Sequence, residues 1–327
     1  DSSVVCDRTV EGADNRYYGG YDLEDNSGIL RYVRVEYAGK TVSTDVELNG
    51  ITFAGVGRGT LVDYVQVHNN SDDCVEFFGG TVNVTHIICT GASDDSLDMD
   101  EGYNGNMQYI YVKQTDKDGV TRGDHVVEFD GVSGPASNVG IDVSSVDDDT
   151  KTGLPRTQPK IANFTFISRG HDDVFKLKEG VSGQYYNGVA AVLNEVTGKS
   201  TNCIETTVAE TPLDGAITPN FSMNSIAFDC PGFIKTNDGV AVSTIEAIVK
   251  ESPDTNLYAA TSGGGTYVNT LNGVVNGSAE SGATVTAVPA IYNADGFFEE
   301  VTYIGAVSGA TDDWYKGWTV PGSIKLN

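Results

Sequence analysis

Positive charge is scarce in this chain. Twenty lysines and arginines stand against 46 aspartates and glutamates, for a net charge of −26 over 327 residues. Binding a phosphate backbone needs clustered Lys and Arg, so no nucleic-acid partner is expected. Polyanionic polysaccharides are disfavoured too, unless a local basic cleft overrides the average. No apolar run reaches transmembrane length. No two cysteines have the C-x-x-C spacing of zinc or redox sites. The only histidines are His68, His86, His125 and His171. Their spacing does not converge on a metal, so they read as turn or surface residues. Nucleophile-elbow, P-loop and dinucleotide motifs are also missing.

What the chain has is glycine, 39 of them, and strand-forming Val, Thr, Ile, Tyr and Phe. It also has a repeat. Val62-Asp63-Tyr64-Val65-Gln66-Val67 through Asp72-Asp73-Cys74-Val75-Glu76-Phe77 aligns without a gap on Val84 through Asp94-Asp95-Ser96-Leu97-Asp98-Met99, at an offset of 22 residues. Looser copies appear at Leu30–Val35 with Ile51–Phe53, at Met107–Val112 with Val127–Gly131, and at Ala162–Ile167 with His171–Leu177. Each copy places apolar residues two apart, as in Val65 and Val67, Val75 and Phe77, Leu97 and Met99, Val127 and Phe129, or Phe175 and Leu177. Period two signals strands with one buried face. The intervening Gln66, Glu76, Asp98, Glu128 and Lys176 are expected to face water.

A leucine-rich repeat lacks its Leu and Asn framework here, and a propeller blade needs about 40 residues. Short strands recurring at this spacing fit an all-β solenoid, a right-handed parallel β-helix with coils of about 22–24 residues. The coils are assigned to residues 1–240 and a C-terminal capping or flanking region to 241–327. That region contains a short helix at Val242–Lys250, a flexible Ser262–Thr266 turn and an aromatic tail (Tyr292, Phe297, Phe298, Tyr303, Trp314, Tyr315, Trp318). The tail is read as closing or flanking the last coils, whose ends expose apolar groups and strand edges.

Four stretches carry a resemblance: Ser27–Gly39, Asn49–Thr60, Asp72–Val84, and Phe297–Glu299 with Tyr303–Ala306 and Asp312–Trp314. Together they resemble a family of secreted or surface-exposed bacterial right-handed β-helix proteins. The resemblance implies an extracellular or cell-surface location and the fold, and no defined activity. Relatives of this kind have further coils upstream of the region matched, and Gly where this chain has Cys74. The chain is therefore expected to begin where such coils should already be stacked, with those coils removed or another chain supplying the cover.

The Asp pairs are the candidate site. If 22 residues make one coil, Asp72 lies beside Asp94 and Asp73 beside Asp95, with Asp98 and Asp100 following. Like charges about 5 Å apart repel by roughly 1 kcal/mol in water and more where screening is poor. The ladder calls for a cation, for raised pKa values or for hydrogen bonds to turn amides. Structural calcium is one reading of Asp72, Asp73, Asp94, Asp95, Asp98 and Asp100; turn capping by Asp is the other. Five cysteines leave at least one thiol unpaired, and Cys203 and Cys230 lie about one coil apart, a spacing open to a disulfide.

Two functions follow as expectations. One is an extracellular structural or adhesive protein that self-associates end to end into a filament. The other is a glycan-binding module or polysaccharide-lyase-like enzyme, with Arg31, Arg34, Lys176 and Lys178 as candidate bases. Tyr17, Tyr18, Tyr21, Tyr185 and Tyr186 are a candidate sugar platform for it.

Overall fold

The computed structural model describes residues 8–10, 17–20, 22–42, 47–117, 120–121, 123–131, 157–178, 181–193, 201–207, 221–237, 241–251, 253–258, 283–309 and 311–324. Cys6, Tyr21 and the Ser262–Thr266 turn lie outside them.

A hairpin, β1 (Arg8–Thr9) with β2 (Tyr17–Tyr18), precedes the coils. Long and short strands then alternate: β3 (Ile29–Glu36), β4 (Ile51–Ala54), β5 (Leu61–His68), β6 (Val75–Phe78), β7 (Val84–Thr90), β8 (Leu97–Asp100) and β9 (Asn106–Lys113). A side hairpin of β10 (Asp116–Lys117) and β11 (Val120–Thr121) follows. The alternation resumes with β12 (Val127–Asp130), β13 (Lys160–Ser168), β14 (Phe175–Lys178), β15 (Gly183–Val192), β16 (Asn202–Thr206), β17 (Phe221–Asp229) and β18 (Gly232–Thr236). Helix α1 (Val242–Val249) and the short β19 (Leu257–Tyr258) end the series.

The short strands form a seven-stranded parallel sheet in the order β4-β6-β8-β12-β14-β16-β18. The long strands form an eight-stranded parallel sheet, β3-β5-β7-β9-β13-β15-β17-β19. The architecture is the expected right-handed parallel β-helix. Val62 pairs with Val84 and Val75 with Leu97, the 22-residue register of the repeat. Other coils are longer: Val127 pairs with Phe175 and Met107 with Ile161.

The period-two apolar residues fill the space between the sheets. Val65, Val67, Val75, Phe77, Leu97, Met99, Val127, Phe129, Phe175 and Leu177 belong to one continuous core. Each such side chain stabilises by about 1.5–3 kcal/mol relative to exposure. Rings stack within the core, Phe53 on Phe77 from coil to coil at 5.2 Å and Phe164 on Phe166 along β13 at 4.5 Å. Ile245, Ile248 and Val249 of α1 join this core, so the helix closes the last coil.

Each long strand bends once. Tyr32, Tyr64, His86, Tyr109, Asn163, Asn187 and Ser225 all have φ between 52° and 61° and occupy one column. The ladder skips them, running from Arg31↔Asp63 to Val33↔Val65. A left-handed residue costs about 1–2 kcal/mol outside Gly and Asn. The first four offset it by stacking: Tyr32 on Tyr64 at 4.6 Å, Tyr64 on His86 at 4.2 Å, His86 on Tyr109 at 4.9 Å.

The aromatic tail runs back along this bent sheet. Asn187 and Thr286 exchange hydrogen bonds, Asn163 Nδ2 donates to the Tyr303 carbonyl, and Ala306 N donates to Thr165 Oγ1. Further along, Val320 N donates to Gln66 Oε1, and Trp318 meets Tyr32 and Tyr64 edge-on. Outward-facing Ile88, Tyr111 and Ile167 are buried beneath Ala306, Val307 and Ile324. Two expectations are corrected. Gln66 does not face water, because the tail seals it, and Glu76 is only 3% exposed, held by Asn49. Tyr185 and Tyr186 are no exposed platform either: Tyr185 lies in the core and Tyr186 under Phe298.

Candidate functional site

Outward positions of the short strands form a ladder of charge. Thr52, Glu76, Asp98, Glu128, Lys176, Glu205 and Lys235 stand in register on neighbouring strands. Strands about 4.8 Å apart leave these side chains no room to avoid one another. The turns entering the same strands extend the pattern. The register of Val75, Leu97, Val127, Phe175 and Ile204 stacks Asp72, Asp94, Asp124, Asp172 and Thr201 in one column and Asp73, Asp95, His125, Asp173 and Asn202 in the next.

His125 sits in the turn before β12, as its sequence context suggested, but it is no surface histidine. It is 2% exposed. Its Nδ1 lies 3.3 Å from Asp95, 3.3 Å from Glu128 and 3.6 Å from Asp124, and its Nε2 3.6 Å from Asp172 and 3.8 Å from Glu205. Burial alone would lower its pKa. The close carboxylates of Asp95, Glu128 and Glu205 outweigh burial and push it up to about 12, so it is a fixed cation. Burial also works against Glu128 and Glu205, yet His125 with Lys178 holds Glu128 at about 2, and His125, Asp173 and Lys235 hold Glu205 at about 2. Lys178 bridges Glu128 and Asp130, and Lys235 bridges Asp173 and Glu205.

Several aspartates cap turns. Asp95 Oδ1 accepts from the His125 N–H, Asp173 Oδ1 accepts from Asn202, and Asp172 Oδ1 from the Asp173 N–H. Burial, with Glu205 beside it, raises Asp173 to about 6; burial also raises Asp95 to about 7 despite His125. Asp73 and Asp98 are pushed well above the carboxylate range, first by burial and then by neighbouring carboxylates. Asp72 and Asp94 come together with Glu47, and Asp100 sits at the far end of its strand, accepting from the Glu101 N–H.

The candidate bases do not converge. Lys176 and Lys178 lie on the charged sheet. Arg31 and Arg34 lie on the other sheet, paired with Asp63 at 3.0 Å and Glu36 at 3.2 Å. The column of His125, though not its charge, was open to sequence reasoning: Asp124-His125-Val126-Val127-Glu128 aligns on Asp94-Asp95-Ser96-Leu97-Asp98 once the repeat is extended three residues upstream.

Cys203 is bonded to Cys230 and Cys74 to Cys89. The second bond joins residues that spacing did not single out.

Fold and charged face define a parallel β-helix with a sheet surface lined by ionisable groups. The chain belongs to the pectate-lyase-like beta helix domain family, whose model matches residues 6–319. It matches no curated protein and no solved structure.

Proposed function

We propose that this protein is an extracellular, glycan-directed β-helix that meets its ligand along the outward face of the seven-stranded sheet. The observation that carries this reading is the run of alternating charge Glu128, Lys176, Glu205 and Lys235 on neighbouring strands. Carboxylates and ammonium groups in alternation suit the hydroxyls of a sugar chain, which both donate and accept. The family description points the same way. The net charge argues for a neutral glycan over a polyanion.

The experiment is affinity electrophoresis and calorimetry against neutral and acidic polysaccharides, with product analysis for cleavage. Retardation by a neutral glycan is expected, weakened about tenfold in Lys176→Ala, in line with loss of about 1.4 kcal/mol. Absence of binding and cleavage across the panel would sink the reading.

End-to-end self-association is a second reading. It rests on β3, which ends its sheet among the described residues and exposes Ile29 and Tyr32 at 76% and 57%, with Tyr37 just beyond it at 67%. An open strand edge with apolar neighbours is a template for pairing. Concentration-dependent sedimentation to higher oligomers, abolished by Ile29→Lys, is the expected outcome; a monomer at all concentrations removes this reading.

A further inference from the structure

The charged ladder is divided. From Glu128 onward the chain supplies its own cations: His125 among five carboxylates, Lys178 against Glu128 and Asp130, Lys235 against Asp173 and Glu205. Among the described residues, Asp73 and Asp98 in the coils before it meet no such cation. The charges around Asp73 are Asp72, Glu76, Asp94 and Asp95, and those around Asp98 are Asp73, Glu76, Glu128 and Asp130.

We propose that Asp73, Glu76 and Asp98 form a divalent-cation site, suited to calcium, that neutralises this half of the ladder. One oxygen from each of the three lies within 4.8 Å of the others. Oxygens on opposite sides of a calcium ion are up to about 4.8 Å apart, twice its bond length. Magnesium, with shorter bonds and a strict octahedron, fits such a spread less well.

The cluster alone would not carry the proposal, since acidic groups often crowd a turn. Two further observations do. Asp73 is only 7% exposed, yet among the described residues its carboxylate accepts no hydrogen bond and meets no cation, unlike its column neighbours Asp95 and Asp173. Asp98 Oδ1 is likewise buried with no hydrogen-bond partner. An ionised carboxylate buried in that condition is costly, and a bound cation removes that cost. Beside them, Asn49 donates its Nδ2 to Glu76, and its own Oδ1 is buried without a hydrogen-bond partner, a neutral oxygen of the kind calcium accepts.

The test is calorimetric titration with calcium chloride at fixed ionic strength, alongside thermal unfolding in chelator and in excess calcium. Wild-type protein is expected to bind calcium saturably and to melt several degrees higher with it. Asp98→Asn and Asp73→Asn relieve the repulsion while removing a ligand. Each is therefore expected to melt above wild type in chelator and below it in calcium, with affinity reduced about tenfold or more. Asp173→Asn, in the self-neutralised half, should bind calcium as wild type does. No saturable binding by the wild type, or unchanged affinity in both ligand variants, would overturn the site. The titration contains no glycan, so its failure leaves the glycan reading standing, and the reverse holds too.

Discussion

At position 125 a histidine occupies a column otherwise made of Asp73, Asp95, Asp173 and Asn202. One substitution in a repeat thereby turns a stack of like charges into an ion cluster. Asp173, one coil on, shows what remains unbalanced. It is fully buried, and burial together with Glu205 raises it to about 6. A raised carboxyl contributes stability when protonated, and that contribution is lost as pH rises through its folded pKa. Asp173→Asn keeps the acceptor for Asn202 and needs no proton. The variant should match wild type near pH 4 and exceed it by on the order of 2 kcal/mol at pH 8. Urea denaturation at the two pH values checks this; a gap that does not change with pH would refute it. Glu205 has the opposite sign: held at about 2, it stabilises the fold above the ordinary carboxylate range, until pH falls toward that value.

Among the elements, the long strands were legible and their bend was not. Alternation in Val65 and Val67 or Phe175 and Leu177 marks strands whatever surrounds them. Nothing in Tyr32, Tyr64 or Tyr109 signals a left-handed residue, because Tyr adopts that conformation only where stacking from the next coil supports it. The bends prepare the ridge on which the tail lies. Asn187 is the joint: it tolerates the left-handed conformation, exchanges two hydrogen bonds with Thr286, and accepts at its carbonyl from Gly305 N–H. In Asn187→Ala the two side-chain bonds go, at about 1 kcal/mol each, and the backbone cost rises by about 1 kcal/mol. Residues 283–309 should then lose protection in hydrogen exchange while the core strands keep theirs. Equal protection in both proteins would mean that the tail is anchored elsewhere.

Over the whole molecule, two disulfides tie coil to coil, Cys74 to Cys89 across 15 residues and Cys203 to Cys230 across 27. Closing loops of that size stabilises by about 3 kcal/mol each in the chain-entropy account. Reduction should lower the melting temperature markedly, and Cys203→Ala with Cys230→Ala should reproduce part of the loss. A reductant-insensitive melt would show that the bonds carry no stability.

The sequence by itself determined the solenoid, the 22-residue register of the coils around Asp72 and Asp94, the helix after residue 241 and the clustering of aspartates. All of these depend on periodicity, which neighbouring residues carry along the chain. Only the tertiary structure decided that Gln66 and Tyr186 are buried, that His125 is a buried cation among five carboxylates, and that Asp73 and Asp98 meet no cation among the described residues. These properties depend on partners far away in the chain, such as Ser323 for Gln66 or Glu205 for His125. A repeat specifies which residues share a column; the packing of coils and tail specifies which of their charges are neutralised.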